Sequence, residues 1–297
     1  MTLQVKALSK AINHQQIIED ISFDWAPGEI IGLVGRNGVG KTTLFRTLTN
    51  QYVAEQGQVL IDGQSTTRHP LQQRQLFFLD GQYNFLSNYR LWEIPEFFRL
   101  VYAQFDQQRY QDLLVQFELD RNSQYRRLSK GMRALVNLIL ALTSNATYII
   151  LDEPFDGLDV IVSENIATMV IDEVADQQKG FLISSHDLNE LDGLSDRVLL
   201  LKDSRLVQDY HLEEIRETAK KLQLVFNDKT IPAVLKEHSQ LIRVSGRVLV
   251  VVITHYTPEI DQQLRALNPV LLEELPLTLE DLFRANLAHD TGYQLMK

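Results

Sequence analysis

The sequence predicts an α/β fold in two parts: a parallel-sheet domain carrying an inserted helical segment, then a small α+β domain. Three observations carry this expectation. The apolar strand EIIGLV, Glu29 to Val34, runs into a glycine-rich loop, and a helix follows with Leu44, Phe45 and Leu48 on one face. Strand, loop and helix in that order open a parallel α/β unit. Short apolar runs bounded by polar residues recur at 148–151 (YIIL), 181–184 (FLIS) and 198–201, the pattern of strands buried on both faces. Around residue 210 the pattern changes to short alternating strands and helices, which suits a split βαβ arrangement.

Each element has its own signal. Residues 1 to about 28 read as strands, with partial alternation at Ile17, Ile18, Ile21 and Phe23 and a turn at Pro27-Gly28. Residues 86 to about 142 read as mostly helical, ending in MRALVNLILAL, whose Leu135, Leu138, Ile139 and Leu142 share one face. Beyond 210 the expected order is helix 211–221, strand 222–226, helix 232–238, strands 241–244 and 247–253, helix 258–267, strand 269–274 and a last helix from Thr278. The organisation expected is therefore a sheet domain over 1–210, with its helical subdomain at about 82–142, and an accessory domain over 211–297.

Composition narrows the function. Of 297 residues, 44% are hydrophobic and 23% charged, which is ordinary for a globular chain. The net charge of −10 argues against non-specific nucleic-acid binding. Without cysteine there is no disulfide framework, thiolate zinc site or thiol nucleophile. The longest plain apolar run, Val248 to Ile253, is far shorter than the roughly 20 residues of a membrane span. The first residues, MTLQVKALSK, lack the apolar core of a secretory signal.

The chemistry is concentrated in four motifs. The loop Gly35-Arg36-Asn37-Gly38-Val39-Gly40-Lys41-Thr42-Thr43 fits G-x-x-x-x-G-K-[ST]. Its glycines let successive N–H groups turn inward on phosphate oxygens, the following helix aims its positive end there, and Lys41 adds a full charge. Thr42 offers a hydroxyl to Mg²⁺, a cation that prefers hard oxygen ligands. The strand YIIL then delivers Asp152 and Glu153: Asp152 is placed to hold the metal, and Glu153 to polarise a water for in-line attack on a γ-phosphate. His186, just past FLISS, lies on the same sheet edge. Finally, Ser129 in LSKGM is a plausible N-cap, so that helix presents a second anion-binding end with the Gly131 backbone. One nucleotide needs one such end; the surplus suggests that each copy lends its second end to the nucleotide of another copy.

GRNGVGKTT, LSKGM, YIILDEP, FDGLD and SSHD, in that order, resemble the nucleotide-binding subunit of an ATP-binding cassette (ABC) transporter over residues 1 to about 210. The resemblance implies a P-loop NTPase sheet, with ATP and Mg²⁺ as ligands. It places phosphate on Lys41, the Asn37–Lys41 backbone and Thr43, and the metal on Thr42 and Asp152. It makes Glu153 the catalytic base and His186 the switch histidine. It puts Ser129 and Gly131 on the γ-phosphate held by the other subunit, and Asp156 to Asp159 in the loop crossing the dimer interface. The family's metal-reaching glutamine aligns with Gly81; Gln82, one residue later, takes both its metal and its catalytic role if a one-residue bulge brings it there, and otherwise that contact is missing or altered. The family's adenine-stacking aromatic aligns with Ile12, and either Ile12 or His14 faces the base. Of the aromatics that follow (Tyr83, Phe85, Tyr89, Trp92, Phe97, Phe98), some belong to the core and others to a groove for a permease helix.

LSKGM and the C-terminal TLEDLF (Thr278 to Phe283) are similar to one exporter subclass with a separate permease. The implied partners are a second copy or a paralogous ABC subunit, and an integral membrane permease; no nucleic acid is expected. The implied location is the cytoplasmic face of the cell membrane, reached through that permease. The alternatives are a cassette ATPase acting on the ribosome or DNA, and a nucleotide-sensing regulatory subunit. A single cassette, no long coiled-coil insertion and an acidic balance weigh against the first; Glu153 and His186 weigh against the second.

Overall fold

The computed structural model describes residues 2–81, 84–177, 179–227, 230–287 and 294–296. Gln82 and Tyr83 lie outside the described residues. The chain divides into two compact units, Met1–Asp209 and Tyr210–Lys297.

In chain order the first unit runs β1 (Leu3–Ile12), β2 (Gln15–Trp25), β3 (Ile30–Val34), α1 (Lys41–Leu48), β4 (Gln56–Ile61), β5 (Gln64–Ser65), α2 (Pro70–Gln73), β6 (Leu76–Phe78), α3 (Ile94–Val101), α4 (Gln107–Gln116), α5 (Lys130–Thr143), β7 (Tyr148–Asp152), α6 (Val160–Gln177), β8 (Gly180–Ser185), β9 (Arg197–Lys202) and β10 (Arg205–His211). Its strands form two sheets, ordered β2-β1-β4-β5 and β10-β9-β3-β8-β7-β6. In the second, β9, β3, β8, β7 and β6 are parallel.

The first sheet is antiparallel. The β1–β2 turn is Asn13-His14, both left-handed (φ 50° and 63°), as a two-residue hairpin of matching twist requires. The alternation is only partial because β1 is irregular. Its pairing with β2 shifts register between Val5 and Leu8 and again before Lys10, and Ala7 takes φ 49°. Such a bulge turns later side chains to a new face.

Helix α1 lies between the sheets. Leu44, Phe45 and Leu48 pack with Leu3, Val5 and Ile18 of the first sheet and with Leu33, Ile150 and Leu182 of the second. The Trp25 and Tyr148 rings, 4.9 Å apart, join the two sheets directly. Parallel pairing aligns Val34 with Ser185 and Asp152 with Ser184. The carboxyl ends of β3, β7 and β8 thus share one edge, where ligands bind in open α/β sheets.

The helical segment is broken into α3, α4 and α5, preceded by a 3₁₀ turn at Phe85–Asn88. Phe98 stacks on Phe77 of β6 (5.9 Å), and the buried Tyr110 donates its hydroxyl to the Leu91 carbonyl (2.9 Å). A buried ion cluster fastens this segment to the sheet. Glu173 of α6, 3% exposed, pairs with Arg109 of α4 and with Lys179 (2.8 Å). Lys179 also donates to the Leu142 carbonyl near the end of α5 (2.6 Å). Burial pushes the Lys179 ammonium below its usual pKa, against the pull of Glu173.

The second unit comprises α7 (Leu212–Thr218), β11 (Lys220–Val225), α8 (Ala233–His238), β12 (Leu241–Ser245), β13 (Val248–Ile253), α9 (Pro258–Ala266), β14 (Leu271–Leu275), α10 (Leu279–Leu287) and β15 (Gln294–Met296). The sheet order is β14-β11-β13-β12-β15. Strands β11 to β14 with α8 and α9 form the β-α-β-β-α-β split arrangement. Its core joins Leu222, Leu224, Val251 and Ile253 to Leu235, Ile260 and Leu264. The TLEDLF segment has a local physical account. Thr278 and Asp281 form a reciprocal cap, Asp281 N–H on Thr278 Oγ1 (3.2 Å) and Thr278 N–H on Asp281 Oδ2 (3.0 Å), while Leu282 and Phe283 are buried.

Candidate functional site

A cleft of about 750 Å³ opens beside that edge of the parallel sheet. Its wall includes Arg36, Asn37, Gly38, Gly40, Lys41, Thr42 and Thr43 of the glycine loop, and Asp152 and Glu153 from the end of β7. The loop needs its glycines. Gly40 has φ +116°, a conformation only glycine adopts easily, and a Cβ on Gly35 would lie 2.8 Å from the Leu201 carbonyl oxygen.

Two side-chain groups meet there. In the first, Lys41, only 5% exposed, donates to the Gly35 carbonyl (2.6 Å) and pairs with Glu153 Oε1 (3.0 Å). The other oxygen of Glu153 lies 3.4 Å from His186 Nδ1. In the second, Asp152 accepts from the Thr42 hydroxyl on one oxygen and from the Ser184 hydroxyl on the other, both at 2.6 Å. Ser184 in turn accepts from the Glu153 N–H (2.9 Å). That bond fixes Glu153 at φ 47°, an uncommon conformation for a residue with a side chain. Thr42 and Asp152 together offer hard oxygens alone, a donor set that fits Mg²⁺.

The structure thus gathers Lys41, Thr42, Asp152, Glu153 and His186. Ser129 and Gly131 do not line the cleft, although Lys130 between them does. Ser129 caps α5 by accepting from the Met132 N–H (3.1 Å). Asp159 accepts from the Val162 N–H (3.0 Å) at the start of α6. Gln82 lies outside the described residues, so its metal and catalytic contacts have no geometry here.

Some site residues have a role that the sequence does not mark. Ile17, rather than Ile12 or His14, lines the cleft, and its carbonyl lies 3.0 Å from where a Cβ on Gly40 would stand. Ser184, the first residue of SSHD, bridges Asp152 and Glu153, a contact that depends on the pairing of β7 with β8. Asp80, buried beside Gly81, accepts from the Arg46 side chain (2.9 Å from Nε), and Arg46 also donates to the Tyr52 hydroxyl (2.7 Å). Arg46 and Asp80 both line the cleft.

A glycine loop between a parallel strand and a helix, with an acidic strand end holding the loop threonine, defines a P-loop NTPase nucleotide-binding cassette. The ABC transporter family profile matches residues 18–156. Over 95% of this chain and 97% of its own length, the ABC transporter ATP-binding protein YtrB of Bacillus subtilis is 31% identical. The lipopolysaccharide export system ATP-binding protein LptB of Escherichia coli is 30% identical over 72% of this chain and 96% of its own. The solved structure of an ATP-binding subunit of an ABC transporter superposes with a TM-score of 0.65 at 27% identity, covering 73% of this chain and 92% of that one. The chain belongs to the ATP-binding subunits of ABC transporters. Among the described residues no helix is long and apolar enough to cross a membrane.

Proposed function

We propose that this chain hydrolyses ATP as a dimer, with itself or a paralogous subunit, and thereby drives a separate integral membrane permease at the cytoplasmic face of the membrane. The observation that supports this best is the joining of Lys41, Glu153 and His186 beside the Thr42–Asp152–Ser184 group. Phosphate arriving at the glycine loop competes with Glu153 for Lys41. The Glu153 carboxylate is then released to take a proton from the attacking water, with His186 beside it. Mg²⁺, held by Thr42 and Asp152, would neutralise charge on the phosphates. Ser129 and Gly131, outside this cleft, serve the γ-phosphate of the other copy. Removing that phosphate separates the halves and passes the stroke to the permease.

An aromatic surface supports the permease contact. Phe85 and Trp92 are 53% and 43% exposed, and Phe97 packs on Tyr89 (4.6 Å) and Phe85 (5.3 Å). Such a patch suits the apolar face of a docking helix. LSKGM, TLEDLF and the likeness to an export-system subunit favour export. Phosphate release and gel filtration test the proposal. Glu153→Gln should lower turnover roughly a hundredfold or more and leave an ATP-dependent dimer. Near-parent turnover would remove Glu153 as the base, and no ATP-dependent dimer would remove the shared sites.

A further inference from the structure

Lys130 sits at the first position of α5, between Ser129 and Gly131, and the first turn of that helix carries no acidic residue. A cation there opposes the positive end of the helix dipole unless an anion is close. Asp156, in the loop after β7, supplies one: Lys130 Nζ lies 2.6 Å from Asp156 Oδ2. Gly157 permits the approach, because a Cβ on it would stand 3.0 Å from Lys130 Nζ. Both side chains of the pair are about half exposed, so the pair is weak and easily exchanged. Asp156 also faces the catalytic pair, since one ligand atom each from Glu153, Asp156 and His186 lie within 4.8 Å of one another. Lys130 hydrogen-bonds and His186 attracts the Asp156 carboxylate, and together they hold it below the usual carboxylate range.

Resting on the dimer reading above, we infer that Lys130 is a phosphate-binding residue that changes partners. In the separate chain it is neutralised by Asp156. When α5 meets the terminal phosphate of the nucleotide held by a second copy, the Lys130 ammonium transfers to that phosphate. No bond is made or broken; one ion pair replaces another. Asp156 is then a positioning residue whose carboxylate restrains Lys130 until the phosphate arrives.

The test is a double-mutant cycle on nucleotide-driven dimerisation. It uses full-length chain carrying Glu153→Gln, titrated with ATP and read by gel filtration and light scattering. Lys130→Met should raise the ATP concentration for half-dimerisation by roughly tenfold, the worth of one charge-assisted hydrogen bond, and Lys130→Arg should restore most of it. Asp156→Asn should lower that concentration by about threefold, because it unties Lys130. In the Lys130→Met background Asp156→Asn should have no further effect. Thermal melts of the nucleotide-free variants report folding. A purely structural pair shifts both single variants the same way. A long-range charge effect lets Asp156→Asn act equally in both backgrounds. Either result overturns the inference, as does an unchanged Lys130→Met. If the Glu153→Gln parent itself forms no ATP-dependent dimer, the dimer reading fails instead.

Discussion

Ser184 opens the SSHD motif, and its hydroxyl spans the two acidic residues of the site. It donates to Asp152 and accepts from the Glu153 N–H, and the side chain is fully buried. Ser184→Ala removes both bonds. A hydrogen bond to a charged group contributes about 1.5–3 kcal/mol, and a buried N–H left without a partner costs about 1–3 kcal/mol. Asp152 keeps Thr42, and the small cavity admits some relaxation, so the expected loss is about 2–3 kcal/mol. Part of this loss is stability. For a unit of this size, half of that loss lowers the cassette melting temperature by roughly 2–6 °C. The rest is positioning. Glu153 stands at φ 47° with its N–H fixed by Ser184, and once freed it relaxes toward commoner conformations. If about half the loss falls on the transition state, turnover drops roughly tenfold with KM for ATP little changed. Calorimetry and a steady-state phosphate-release assay measure the two parts, and Ser184→Thr should recover most of both. A Ser184→Ala chain with parent melting temperature and parent turnover would refute the reasoning.

Three further outcomes follow from the same geometry. Glu173→Ala leaves Lys179 buried without its counter-ion and should cost about 3–5 kcal/mol in urea unfolding, whereas Glu173→Met with Lys179→Met should regain at least half. Asp281→Asn should weaken the cap of α10 by about 1 kcal/mol near neutral pH. Burial raises the Asp281 pKa, but Lys221 and Thr278 outweigh it and hold the folded value below the ordinary 3.8. The stabilisation is therefore complete above 3.8 and lost as pH falls through the folded value, so wild type and variant should converge in acid unfolding. Ile17→Ala should weaken ATP binding by roughly three- to tenfold in calorimetric titration, while Ile12→Ala should leave it unchanged.

The parallel sheet was legible wherever strands are buried on both faces and end in a motif. β3, β7 and β8 read as plain apolar runs, and the glycine loop, Asp152, Glu153 and His186 follow from their position at strand ends. β4 and β6 carry no such signal. Gln56, Gly57 and Gln58 of β4 are exposed, β6 is only three residues long, and their pairing with β1 and β7 is a tertiary choice. The bulge at Ala7 blurred β1, and Ile17 of β2, which lines the cleft, carries no sequence signal for that place. SSHD marks Ser184, but its contact depends on register: its pairing with Asp152 exists only once β7 and β8 lie side by side. The aromatics were separable only in three dimensions, with Phe98 buried and Phe85 exposed.

The strand leading into the glycine loop is an early piece of chain with late neighbours. β3 ends at residue 34, but it lies between β8 and β9, which end at residues 185 and 202. A nascent chain therefore emerges with its nucleotide loop unsupported, and the scaffold closes only after residue 202 has been made. A chain cut at residue 156 would hold the glycine loop, LSKGM and YIILDEP, but it would lack His186 and both strands that flank β3. During synthesis the apolar β3 waits with both edges open, and unpaired strand edges of this kind are prone to aggregate.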